Sequence, residues 1–207
     1  VTLILIAAIL DALDGRIARL IKGTSQFGKE LDSLTDFVSF GIAPVFILYF
    51  WELNNYGKLG WAITLIFSVC CVLRLARFNL TKIEPQEQWR MNFFEGVPSP
   101  AGAGLILLPL IYELSGFNLN FEIKKITPYL VIFVSILLIS KFPTFSFKKI
   151  TIPRKLTVFL FFGIGVISVS LIFFTFETLL LLGMLYLSLL PIGFLSYKKK
   201  NLIKTEN

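Results

Sequence analysis

Asp11, Asp14, Asp32 and Asp36 are the residues here best suited to chemistry. They form two pairs, three and four residues apart, and either spacing places a pair on one helical face. The surrounding sequence is apolar, and a bare carboxylate at membrane depth needs a strong partner. Four acids in two pairs point to a divalent metal site rather than a single ion pair. Oxygen-only ligation suits Mg²⁺ or Mn²⁺. Four carboxylates can hold two such ions about 3.5–4 Å apart, a layout used in phosphoryl transfer. Mg²⁺ usually completes its shell with substrate phosphates, and Arg19 would grip a phosphate with its fork of donors. Gly15 and Ala18 share the side of Asp11 and Asp14, and Gly28 shares the face of Asp32 and Asp36. Such small residues let a backbone or ligand approach closely. The competing reading is that the acids flank helix ends and pair with Arg16, Arg19 and Lys29. Surface charges, however, do not need small residues interleaved on the same face.

These carboxylates must be positioned by helices. The chain is 56% hydrophobic and 15% aromatic, with a mean hydropathy of +0.79, whereas soluble domains average roughly 45–50% apolar. Runs such as 158–176 and 179–195 approach the length that crosses a bilayer. The expected fold is all-α, a polytopic membrane helical bundle. Seven segments are expected, near 1–21, 27–52, 58–80, 98–115, 126–141, 156–175 and 178–197. Residues 1–197 would form one membrane domain, and 198–207 a polar cytoplasmic tail that frays. The chain opens at Val1 inside an apolar run, so an eighth helix is expected ahead of it. Gly57 and Gly60 punctuate a turn, Pro98 and Pro100 open the fourth helix, and Pro44, Pro109 and Pro191 are expected to kink theirs.

On this layout seventeen of the 20 Lys and Arg residues fall on one side, leaving Lys58, Lys124 and Lys125 on the other. That asymmetry orients the protein with its acids near the cytoplasmic face. The net charge of +7 is thereby explained by topology, and nucleic acid is not an expected partner. Cys70 and Cys71 are adjacent, which suits apolar packing better than a disulfide or metal site. Histidine is absent, so acid–base work falls to carboxylates, Lys, Tyr or Cys.

The string from Asp11 to Asp36 reads D-x2-D-G-x2-A-R-x8-G-x3-D-x3-D. It resembles the signature of the CDP-alcohol phosphotransferases at every defined position. The resemblance implies transfer of a phosphatidyl or similar group from a CDP-linked donor to an alcohol, with release of CMP. It implies that Asp11, Asp14 and Asp32 are metal ligands, and that Asp36 shares in coordination and takes the proton from the attacking hydroxyl. Gly15, Ala18, Arg19 and Gly28 would line the CDP pocket. A homodimer is also implied.

The motif does not choose the alcohol. The segments D-F-V-S-F-G-I-A-P (36–44), R-L-A-R-F-N (74–79) and F-E-G-V-P-S-P-A-G-A (94–103) resemble the integral-membrane phosphatidylserine synthases within that family. CDP-diacylglycerol and L-serine are then the implied substrates. Arg74 and Arg77 would offer a fork to the serine carboxylate, with Asn79 and Ser99 as further candidates; ordinary positive-inside flanking or lipid phosphate binding explains the arginines equally well. The loop Thr81–Glu95 would cover the site, and the basic cluster Lys148–Lys155 would meet anionic headgroups. Other acceptors remain open: glycerol 3-phosphate, an inositol phosphate or choline. A different class, a cation transporter using the acids as an ion path, would show metal flux into liposomes without CMP release.

Overall fold

The computed structural model describes residues 1–4, 6–8, 10, 13, 25–80, 93–116, 122–140, 143–145 and 154–205. Ahead of Ser25, residues 2–4, 6–8, 10 and 13 are helical, in keeping with the first expected segment. The second begins as α1 (Gln26–Asp36), passes through a π-helical stretch (Phe37–Ile42) and ends as α2 (Ala43–Trp51). Ser25 caps α1, its hydroxyl accepting the Gly28 N–H at 2.9 Å, which satisfies one of the unpaired donors of the first turn.

The π stretch has a local cause. Pro44 has no N–H to offer the carbonyl four residues back. Just before it the ladder slips, and the Ala43 N–H bonds Val38 across five residues. The proline expected to kink the helix thus coincides with a widened turn.

After a 3₁₀ turn (Leu53–Tyr56), α3 runs from Lys58 to Leu80. Gly57 takes φ +55 in the turn, and a Cβ on Gly60 would lie 1.8 Å from the Leu53 carbonyl oxygen. Both glycines are therefore required, one by dihedral and one by space. The next elements are α4 (Ser99–Leu114) and α5 (Ile123–Ile139), then α6 (Arg154–Phe173) and α7 (Thr175–Thr205). Pro100 occupies the first turn of α4, where its missing N–H costs little.

Two features differ from the expected pattern. A short antiparallel pair, β1 (Phe93–Glu95) with β2 (Pro143–Phe145), adds three residue pairs of strand to the all-α expectation, in register Phe93↔Phe145 to Glu95↔Pro143. And α7 continues to Thr205 where a fraying tail from 198 was expected. No glycine or proline follows Gly193, and Lys and Leu are good helix formers.

The contacts divide the chain into two units. The first comprises Val1–Thr81, Gly96–Pro109 and Phe121–Lys141. Here α3 packs on α5, the π stretch and α2, enclosing Phe40, Leu48, Phe67, Ile106, Val131 and Leu138. The second comprises Lys82–Glu95, Leu110–Asn120 and Phe142–Asn207. In it α6 packs on α7, and β2 lies against α7. Large apolar side chains on these two helices, including Phe159, Phe162, Ile172 and Phe173, are more than two-thirds exposed.

Among the described residues two stretches, Gln26–Trp51 and Lys58–Phe78, are long and apolar enough to cross a membrane, and Ser99–Leu114, Thr157–Phe173 and Thr175–Pro191 are shorter apolar helices.

Candidate functional site

The acidic end of the first unit is built on α1. Asp32 and Asp36 are one helical turn apart on it, Asp32 exposed and Asp36 half-buried, with Asp36 Oδ1 closed off from solvent. Like charges at this spacing destabilise a helix by about 0.2–0.5 kcal/mol. A cation between them would reverse that sign. Thr35, lying between the two in sequence, turns its hydroxyl back to the helix, donating to the carbonyls of Leu31 at 2.7 Å and Asp32 at 2.9 Å.

Gly28 stands at the mouth of this helix. A Cβ there would come within 3.2 Å of the Ser25 hydroxyl oxygen, so the small residue also protects the cap. Ser25 was not among the residues expected to matter. Its signal is a hydroxyl residue placed immediately before an amphipathic helix.

Asp11, Asp14, Gly15, Ala18 and Arg19 lie outside the described residues. Among the described residues, no three metal-ligating side chains gather; those described include two of the four aspartates.

The candidate acceptor residues divide. Arg74, half-buried on α3, donates through Nη1 to Ser99 Oγ at 2.7 Å, with its guanidinium 6.0 Å from the centre of the Phe78 ring. Ser99 opens α4 and is 1% exposed. Its placement depends on Gly96, which takes φ +76 where a Cβ would meet the Leu138 and Ser140 carbonyl oxygens at 2.9 Å each. The chain thereby crosses the end of α5 closely and enters α4 beside α3. Arg77 points elsewhere: its Nη1 donates to the Ile139 carbonyl at 2.6 Å. Ile139 ends α5, so Arg77 caps a helix C-terminus, a favourable place for a cation. Asn79 lies near the end of α3, but its side chain is outside the description. So are residues 81–92 of the expected covering loop and the side chains of the basic cluster Lys148–Lys155.

Asp36, Arg74 and Ser99 share a neighbour, Cys71. Its thiol lies near Ser99 and within electrostatic reach of Arg74 and Asp36. Arg74 and Ser99 thus meet where α3 reaches the start of α4, and Asp36 at the end of α1 lies within electrostatic reach of the same thiol. Such a set can hold a zwitterion or a phosphate and can accept a proton.

At the other end of this unit, Tyr49, Phe50, Phe46 and Trp61 form an edge-on aromatic cluster. Lys124 lies 5.4 Å from the centre of the Trp51 ring, and Lys125 pairs with Glu122.

A family model described as CDP-alcohol phosphatidyltransferase matches residues 1–146. Among curated proteins, the CDP-diacylglycerol–serine O-phosphatidyltransferase of Helicobacter pylori is 35% identical over 173 residues, covering 83% of this chain and 68% of its own. The protein of that name from Methanocaldococcus jannaschii is 36% identical over 163 residues, 77% of this chain and 68% of its own. That of Mycobacterium tuberculosis is 39% identical over 160 residues, 73% of this chain and 53% of its own. The aligned region spans about half the length of the mycobacterial relatives.

Proposed function

The chain belongs to the CDP-alcohol phosphatidyltransferase family, and from that premise we propose that it transfers a phosphatidyl group from CDP-diacylglycerol to L-serine. The observation that carries the choice of acceptor is the Arg74–Ser99 pair beside Asp36. It offers a cation for the serine carboxylate close to a base for the hydroxyl. The activity named for these relatives supports the same reading.

In the proposed reaction, Asp36 accepts the proton of the serine hydroxyl. The serine oxygen bonds to the lipid-side phosphorus, the bond to the CMP oxygen breaks, and CMP leaves. Arg74 orients serine through its carboxylate. Gly15, Ala18, Arg19 and Gly28 would form the CDP pocket, with Arg19 on the diphosphate and the glycines leaving room for it. Positioning and charge neutralisation carry most of such a phosphoryl transfer.

Divalent ions fit the donor set. Asp32 and Asp36 present hard oxygens one turn apart on α1, and Asp11 and Asp14 would complete a four-carboxylate site for two Mg²⁺ or Mn²⁺ ions. When bound, such ions neutralise pyrophosphate charge and so ease departure of CMP.

The protein is read as a multi-pass membrane protein with a single membrane domain over 1–197 and its acids at the cytoplasmic face. Trp51 lies fifteen residues beyond Asp36 on one nearly continuous helix, roughly 22 Å along its axis. Tyr and Trp favour a membrane interface, which leaves Asp36 toward the opposite one, and the excess of Lys and Arg marks that side as cytoplasmic.

The test is an acceptor panel. Purified protein is given CDP-diacylglycerol with serine, glycerol 3-phosphate, inositol phosphate or choline, and CMP and lipid product are measured. Serine is expected to give phosphatidylserine and stoichiometric CMP. Turnover of glycerol 3-phosphate with none of serine would overturn the reading.

A further inference from the structure

The C-terminal end of α5 is held from two sides. The last carbonyls of a helix have no partner within it. That of Leu137 accepts the Ser140 hydroxyl at 3.0 Å and the Val97 N–H at 3.4 Å. That of Ile139 accepts Arg77 Nη1 at 2.6 Å, a guanidinium reaching across from α3 to the negative end of the helix dipole. On the same end lies Gly96, where a Cβ would come within 2.9 Å of the Leu138 and Ser140 carbonyl oxygens. Only Val97 and Pro98 separate it from Ser99. Val97 is fully buried, and the Pro98 carbonyl accepts the Gly102 N–H at 2.8 Å, so this link has little slack. Ser99 then receives Arg74 Nη1 at 2.7 Å. Arg74 and Arg77 stand three residues apart on one face of α3. One arginine grips the end of α5, and the other grips the residue that emerges from the segment resting on that end.

We propose that Arg77 is a positioning residue: it fixes the end of α5, and through the Gly96–Pro98 crossing it sets the Ser99 hydroxyl against Arg74. It does not touch serine itself. The proposal rests on serine transfer as the activity and on Arg74 as the group that receives the serine carboxylate. Without Arg77 the end of α5 loses a charge-assisted hydrogen bond, the strong class of such bonds, and the crossing laid on it shifts. The Arg74 guanidinium then loses its fixed partner. Bidentate capture of a carboxylate depends on the orientation of the fork, so serine binding suffers and lipid binding does not.

Initial rates of CMP release by the purified protein in lipid–detergent micelles, with serine and CDP-diacylglycerol varied separately, test it. Arg77→Met, apolar and unbranched, is expected to raise KM for serine about threefold to tenfold, the weight of one net hydrogen bond. Its KM for the lipid stays within about twofold of wild type. Arg77→Lys keeps a cationic donor at the helix end and returns the serine KM to within about twofold of wild type. A double-mutant cycle with Ser99→Ala separates positioning from direct binding. Acting through Ser99, Arg77→Met adds less than about twofold to the serine KM of Ser99→Ala. Full multiplication of the two effects would put Arg77 on the substrate and overturns the proposal. So does an unchanged serine KM in Arg77→Met, an Arg77→Lys no better than it, or an equal rise for both substrates. Should Arg77→Met not purify as a folded protein, Arg77→Gln, too short to reach the Ile139 carbonyl, takes its place with the same expectations. A wild type that releases CMP with another acceptor and none with serine defeats the parent reading before any variant is compared, and this proposal falls with it.

Discussion

Asp36 and Arg74 carry the sharpest residue-level predictions. Asp36→Asn keeps the shape of the side chain and removes its basicity, so kcat should fall by about 10²–10⁴, the usual weight of general-base catalysis, while the protein still purifies as a folded species. Near wild-type turnover would remove Asp36 from the chemistry. Arg74→Lys keeps the charge and loses the planar fork. We expect its KM for serine to rise about tenfold with KM for CDP-diacylglycerol unmoved; equal rises for both would make Arg74 a packing residue. The acid spacing and the motif were legible in the sequence because chemistry restricts residue type there. The two arginines were not separable, since R-L-A-R flanking a span reads the same for acceptor binding and helix capping. Arg77 on the Ile139 carbonyl and Arg74 on the Ser99 hydroxyl both depend on long-range packing.

At the scale of elements, helix positions followed from apolar run lengths. The expected 27–52 compares with Gln26–Trp51, and 58–80 with Lys58–Leu80. What hydropathy does not encode is the slip to five-residue bonding at Phe37–Ile42, because the stretch is apolar apart from Ser39. Nor does it encode three-residue strands, too short for a period to register. Glycine contacts give a stability test. Gly60→Ala would drive a Cβ into the Leu53 carbonyl, a backbone atom that cannot turn aside, at a cost of about 1–3 kcal/mol. Thermal unfolding in detergent should show a lower midpoint with substrate KM values unchanged. A variant as stable as wild type would mean that the turn at Gly57–Gly60 relaxes freely.

For the whole molecule, the exposed Phe and Ile side chains of α6 and the exposed Leu side chains of α7 would be a liability in water and are at home in hydrocarbon. Between helices in lipid the transfer gain that drives burial in water is lost, and close packing with hydrogen bonds must hold the bundle. Topology is open to direct test. A cysteine introduced at Lys125 should be labelled in intact cells by an impermeant maleimide, and one introduced at Lys200 after permeabilisation alone. The reverse pattern would put the acids on the wrong face for cytoplasmic substrates. A homodimer is expected from the family resemblance, and light scattering in detergent giving the mass of one chain would contradict it.

The claim on which the rest depends is that the four aspartates converge on divalent ions that receive the pyrophosphate. A crystal of the protein grown with CDP-diacylglycerol and Mn²⁺, measured at the manganese absorption edge, tests it directly. The account predicts two anomalous peaks among Asp11, Asp14, Asp32 and Asp36, against the diphosphate. Carboxylates splayed apart around bound lipid, with no anomalous peak between them, would contradict it.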